Sequence, residues 1–229
     1  MTLSPEHAPQ RLVIVGTGGH AREVHELIED INAAARVPVW DVLGWLDSNA
    51  ATHGKRVHDL PVLGDVDWLQ GQSAVWVTVA IGATHVRRRV TQRLQAQGQK
   101  LFATLIHPTA VVGRRAQIGA GSVLCAGSMA TTDCRIGEHA LLNRLAMVAH
   151  DDVLGDFVTL APGVVLSGNV QVGEGTDIGT TAAVNQGLSI GEWSVVGSGA
   201  VVNRSLPANC TAVGVPARVI KERPAGWHL

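Results

Sequence analysis

Every sixth residue from Ile106 to Val202 is aliphatic. The series Ile106, Val112, Ile118, Leu124, Ala130, Ile136, Leu142, Val148, Leu154, Leu160, Leu166, Val172, Ile178, Val184, Ile190, Val196, Val202 keeps one register through seventeen positions, and only Ala130 is not Ile, Val or Leu. The residue after each anchor is usually small, with glycine at 113, 119, 137, 155, 173, 179, 191 and 197. The fourth residue after each anchor is mostly small or Val, as at Ala116, Ser122, Ser128, Ala140, Ala146, Val164 and Ala182. A period of six fits neither an α-helix nor a long strand. It fits a parallel β-helix, in which a short strand spans each unit and the chain then turns a corner. Three units close a triangular coil of 18 residues, with the anchors stacked inward. The glycines are expected to let the backbone turn without a Cβ clash. A narrow prism has no room for rings, which accounts for 26 Gly, two Phe and no Tyr in 229 residues. Trp193, at the third place after Ile190, is expected to face outward, and a buried indole there would contradict the register.

The first hundred residues lack this period. Residues 11–15 are a short apolar run ending in Gly16-Thr17-Gly18-Gly19-His20. Residues 21–35 follow with helical spacing, placing Val24, Leu27, Ile28 and Ile31 on one face. Residues 37–46 read as a strand broken by Asp47-Ser48-Asn49, and 75–81 as a buried strand. Residues 84–97 read as a helix with Val86, Val90 and Leu94 inward, and 102–106 as a last strand. Strand, glycine turn, helix, strand is an α/β unit of Rossmann type. The expected organisation is therefore a Rossmann-like domain over 1–106 and a β-helix over 107–229, with the boundary near His107-Pro108 and the segment after Leu206 capping the prism.

Composition removes several classes of function. The net charge is −1, from 18 basic and 19 acidic residues, so nothing advertises nucleic-acid or membrane-surface binding. The one basic run, Arg87-Arg88-Arg89, is expected to be a solvated helix face. The longest apolar stretch, 75–83, is interrupted by Thr78 and Gly82. That is far short of the ~20 residues of a spanning helix. The N-terminus has no basic region leading into an apolar core, so no secretory signal is expected. Cys125, Cys134 and Cys210 are odd in number and lack metal-ligand spacing, which reads as reduced, buried residues of a cytoplasmic protein.

Two places carry chemistry. The Gly16-Thr17-Gly18-Gly19 turn, between a strand and a helix, offers backbone N–H groups as an anion cradle. Asp47, at the end of the second strand, is placed to accept from a ribose or base. A packing turn with a strand-end Asp is the plainer alternative. In the prism, His150 stands in Ala149-His150-Asp151-Asp152, and Asp152 fills a fourth-place slot otherwise small or Val. Breaking a local rule is expected at functional sites. Thr132 and Gly168, eighteen residues to either side, leave space around His150. A neighbouring carboxylate would fix the imidazole tautomer for general base work. The residues by themselves leave catalysis and a surface His–Asp pair equally open. A zinc site from His107, His139 and His150 has no supporting ligand spacing, and no metal is expected.

The chain resembles the sialic-acid O-acetyltransferase type of sugar acetyltransferase, within the hexapeptide-repeat acyltransferases, and is most similar to those that N-acetylate nucleotide-linked 4-amino sugars. The resemblance rests on Val15-Gly16-Thr17-Gly18-Gly19-His20, Leu46-Asp47, Ala80-Ile81-Gly82, Ile106-His107-Pro108, His150-Asp151, Leu154-Gly155-Asp156-Phe157 and Val213-Gly214-Val215-Pro216-Ala217. It implies a left-handed prism, against the usual crossover preference, and a homotrimer with sites between neighbouring prisms. By similarity, Gly16, Gly18, Gly19, Asp47 and Gly82 lie near the nucleotide and His20 near the sugar or diphosphate. His150 is implied as the base, Asp151 as its orienting partner, and Asn143 as a neighbour of the acceptor. Acetyl-CoA is implied to run past Gly168, Thr180, Ser198, Gly199 and Ala200. Many relatives carry a second His nine places after the first, where this chain has Thr159.

The resulting expectation is acetyl transfer from acetyl-CoA to the amine, at C4, of a nucleotide-linked amino sugar. A hydroxyl acceptor, and a non-catalytic trimer that binds sugar nucleotides, are the alternatives.

Overall fold

The computed structural model describes residues 8–228. The chain divides into two compact units. The first runs to Ile81 and takes in Arg93–Ala103, and the second comprises Gly82–Gln92 and everything from Thr104 onward. The division therefore cuts through a helix, whereas the sequence places one boundary near residue 107.

The first unit is a five-stranded sheet. Its strands are β1 (Gln10–Val15), β2 (Trp40–Leu46), β3 (Arg56–Val57), β4 (Leu60–Gly64) and β5 (Trp76–Val79), in the order β3-β4-β2-β1-β5. β1 pairs in parallel with both β2 and β5, β2 pairs in parallel with β4, and β3 and β4 form an antiparallel hairpin. Leu12, Val13 and Ile14 of the interior strand β1 are fully buried, as a parallel strand covered on both faces requires. Helix α1 (Gly19–Ala34) follows β1 and buries Ala21, Val24, His25, Leu27 and Ile28. Ile31 is only half-buried, because the inward stripe drifts toward Ala21 and His25.

The helix cut by the division, α2 (Thr84–Ala96), corrects the expected inward face. Its buried residues are Thr84, Arg87, Thr91 and Leu94, while Val86 and Val90 are half-buried. The same helical spacing is present, rotated so that polar side chains face inward. Arg87 is 3% exposed, so the basic run is not a solvated face; only Arg89 stays exposed.

The second unit is the prism. Two-residue strands recur every sixth residue from Leu105–Ile106 to Val201–Val202, and those up to Ala183–Val184 pair in parallel with the strand eighteen residues on, as in Leu142↔Leu160. They stack into three sheets, one per face. From Leu124 to Val202 every anchor is buried, at 0–4% exposure. Ile106 and Val112 are 36% and 38% exposed because no coil precedes them. The glycines after the anchors serve close approach rather than the turn itself. A Cβ on Gly119 would sit 2.5 Å from the backbone of Gly137 in the next coil. The left-handed backbone conformation falls instead on the third place after the anchor, where Asp133, His139, Leu145, Asp151, Phe157, Thr181 and Trp193 all have positive φ.

Trp193 corrects another expectation. It is 3% exposed, yet the strands on either side of it keep their register. The indole does leave the prism axis, and the chain then covers it. The His228 ring stacks on it at 3.6 Å, and the Arg88 guanidinium lies 5.3 Å from its centroid. After Leu206, Cys210–Val213 pairs in parallel with Val195–Val196 and antiparallel with Arg218–Glu222, closing the end of the core.

Candidate active site

His150 lies in the corner after the strand Met147–Val148, and coils above and below hold that corner. Its carbonyl accepts from Asn169 N–H at 2.9 Å, and Asp151 N–H donates to Thr132 O at 3.4 Å. Asp151 has φ +61°, which swings its carboxylate beside the ring. Nδ1 of His150 is 2.9 Å from Asp151 Oδ2. Both side chains are more than half exposed, so this pair contributes little to stability. What it fixes is the ring: with Nδ1–H donated to the carboxylate, the Nε2 lone pair faces outward. The ring lies against Gly168, where a Cβ would stand 2.8 Å from Nε2.

Asp152 sits differently from Asp151. It is fully buried, and its two oxygens accept from Ala149 N–H at 2.7 Å and Val170 N–H at 2.8 Å. Burial pushes its carboxyl above the ordinary value, and those two backbone hydrogen bonds oppose the shift.

The other expected prism residues divide between corners. Gly168 shares the edge with His150. Asn143, Thr180, Ser198 and Gly199 lie along the adjoining edge, before rather than after the strands of the intervening face. Asn143 Oδ1 accepts from Arg144 N–H at 2.8 Å, and Gly199 N–H donates to Thr180 O at 2.8 Å. Ala200 turns its side chain into the core, its N–H donates to Gly197 O, and its carbonyl accepts from Ala183 N–H. Thr159 emerges from a different face, where Arg87 Nη2 donates to its Oγ1 at 2.7 Å.

In the first unit, Gly16 has φ +106°, and a Cβ there would meet Ala80 O at 3.2 Å. Gly18 caps α1 without any side-chain partner, and space is open above both Gly18 and Gly54. The N–H groups that begin α1 thus form an open cradle at the carboxyl ends of β1 and β2, where doubly wound sheets take their ligands. Asp47 faces this loop with its oxygens already engaged. Oδ2 accepts from Thr17 Oγ1 at 2.6 Å, and Oδ1 from Asn49 N–H at 2.9 Å. His20, in the first turn of α1, lies 3.9 Å from Glu23. Gly82 falls in the second unit, its carbonyl accepting from Arg87 Nη1 at 3.2 Å.

Sequence reasoning missed the network around Arg87. Nε donates to His139 O at 3.1 Å and Nη2 to Phe157 O at 2.9 Å. Burial lowers this guanidinium to about 10, with Asp177 opposing, so it stays charged at neutral pH. The available signal was the spacing of Thr84, Arg87, Thr91 and Leu94. Among the described residues, no group of three or more His, Cys, Asp or Glu is placed to hold a metal.

A nucleotide-type α/β unit and a hexapeptide-repeat β-helix carrying an exposed His–Asp pair define an acyltransferase of the hexapeptide-repeat class. Residues 11–94 match the PglD N-terminal domain family. The chain is 33% identical over 224 residues to GDP-perosamine N-acetyltransferase of Escherichia coli O157:H7, covering 92% of this chain and 96% of that one. It superposes on the acetyltransferase domain of PglB from Neisseria gonorrhoeae FA1090, solved with acetyl coenzyme A, with a TM-score of 0.83, 33% identity, and coverage of 93% and 100% of the two chains. It superposes equally on PerB from Caulobacter crescentus, solved with CoA and GDP-perosamine, at TM-score 0.83, 34% identity, and coverage of 93% and 99%. The chain belongs to this family of nucleotide amino-sugar N-acetyltransferases.

Proposed function

We propose that the protein transfers the acetyl group of acetyl-CoA to the C4 amine of a nucleotide-linked amino sugar, with His150 as general base. The observation that carries this is the held imidazole, with Nδ1 on Asp151 and Nε2 presented over Gly168. The free amine attacks the thioester carbonyl and forms the C–N bond. Nε2 takes the proton that the nitrogen sheds. As the tetrahedral intermediate collapses, the C–S bond breaks and the same proton passes to the CoA sulfur. A backbone N–H at Gly168 stabilises the oxyanion. Transfer is direct, consistent with the burial of all three cysteines.

The nucleotide binds at Gly16, Gly18, Gly19 and Asp47, with His20 toward the diphosphate or sugar. Asn143 meets the acceptor, and acetyl-CoA runs past Gly168, Thr180, Ser198 and Gly199. These residues occupy two edges of one prism, so a complete site draws on two prisms of a left-handed homotrimer. The face between the edges supports this. Its outward residues are Val111, Met129, Met147, Val165, Ala183 and Val201, and Val111 is 58% exposed. Such an apolar stripe suits burial against a second copy. No helix among the described residues is long and apolar enough to cross a membrane, and the reading places the enzyme in the cytoplasm, where acetyl-CoA is made.

The resemblance reaches the wider sialic-acid O-acetyltransferase type. The amine acceptor is preferred because the named relatives are N-acetyltransferases. The test is a panel of GDP-, UDP- and dTDP-linked 4-amino sugars beside hydroxyl-only sugars, followed by mass spectrometry. Acetylation of an amino-sugar nucleotide is expected. Acetylation confined to hydroxyl acceptors, or nucleotide binding without CoA binding, would overturn the proposal.

A further inference from the structure

Asp152 is a carboxylate inside an apolar column. The residues stacked with it at eighteen-residue spacing are Cys134 and Val170, both in the hydrophobic core of the prism. Burying a charge there is costly unless it is well partnered. Its two oxygens do separate things. Oδ1 takes the N–H of Val170 in the next coil, and Oδ2 takes the N–H of Ala149 in its own turn.

The first contact recurs elsewhere in the prism. At another corner Ser122 Oγ accepts from Ala140 N–H, Thr176 Oγ1 from Ser194 N–H, and Ser194 Oγ from Cys210 N–H. A hydroxyl is therefore enough to tie one coil to the next. The second contact is what a carboxylate adds, and it falls on the residue immediately before His150. The carboxylate thus clamps the turn carrying His150 to the turn carrying Gly168 and Val170. Those turns set where Nε2 stands over Gly168.

We propose that Asp152 is a positioning residue for His150, holding the imidazole at its working distance from the Gly168 turn. This rests on the reading of His150 as the base. Asp151 orients the ring about its own axis, and Asp152 fixes the backbone from which the ring projects.

The test is Asp152→Ser. Serine fits the small slot and, like the hydroxyls at the other corner, keeps the bond to Val170 while losing the one to Ala149. The thermal midpoint and the KM values for acetyl-CoA and amino-sugar nucleotide should stay near wild type. The kcat should fall about tenfold or more, as misplacement of a catalytic group does. Asp152→Asn, which has one acceptor oxygen instead of two, should also lower kcat with KM unchanged. Wild-type kcat in Asp152→Ser would overturn the proposal. So would a raised KM for both substrates, or failure of both variants to fold, since either marks a carboxylate serving the prism alone. His150→Ala is assayed in parallel. Full activity there removes the base itself, whereas an inactive His150→Ala beside a fully active Asp152→Ser removes only the role of Asp152.

Discussion

Arg87 Nη2 lies 2.7 Å from Thr159 Oγ1. The hydroxyl is also 2.9 Å from Thr84 Oγ1, so the position is taken up in fastening the start of α2 to the prism. Arg87→Ala would take this donor from the buried carbonyls of His139 and Phe157 and leave the Thr159 hydroxyl to Thr84 alone. The expected loss is about 3 kcal/mol, from several buried groups left unsatisfied. Chemical denaturation measures it. Arg87→Lys should recover only part, because one ammonium cannot reproduce the spread of a guanidinium.

The same network makes stability depend on pH. Burial, then the Arg87 charge, lowers His139 from 6.5 to about 4, with Asp156 opposing. The folded value is below the unfolded one, so between those limits the unfolded chain binds more protons. The contribution is whole above about pH 6.5 and is lost as pH falls toward 4, on the order of 3 kcal/mol. His139→Gln should flatten that part of the curve of unfolding free energy against pH, and an unchanged slope would contradict the assignment.

Gly168→Ala tests the close approach at the base. Its φ is +78°, and the new methyl would stand 2.8 Å from His150 Nε2. The left-handed conformation costs about 1–2 kcal/mol for a residue with a Cβ. The larger effect should be on rate, with kcat down about a hundredfold as the ring is displaced. Steady-state kinetics with both substrates saturating reads this directly.

In the first unit, Thr17→Val removes the hydroxyl that Asp47 holds at 2.6 Å. The glycine loop loses its tie to the end of β2. Affinity for the sugar nucleotide should weaken about tenfold, roughly the ~1.5 kcal/mol of a hydrogen bond to a charged group. Isothermal titration with GDP and UDP would show it, and acetyl-CoA affinity should not change.

Much of this architecture is legible in the chain itself. Each anchor from Leu124 to Val202 is set by one residue and its six-residue neighbour, so the period survives without tertiary knowledge. The fourth-place slot marks Asp152 as an exception, but its burial is seen only in the structure. Helix α1 is legible for the same reason, through Val24, Leu27 and Ile28. Arg87 is legible only as a place on the face of Thr84, Thr91 and Leu94, because its partners lie 52 to 72 residues further along. Trp193 points where the register sends it, but its burial depends on His228 and Arg88. Asp47 is correctly placed at a strand end, yet its engagement with Thr17 follows from the packing of two adjacent loops.

The central claim is that His150 accepts the proton released by the attacking amine. The decisive measurement is kcat for His150→Ala and His150→Asn with acetyl-CoA and an amino-sugar nucleotide, with binding of both substrates checked by titration. The account predicts a fall of about two to four orders of magnitude in kcat, the usual range for a general base, with binding retained. Wild-type turnover in both variants would contradict it.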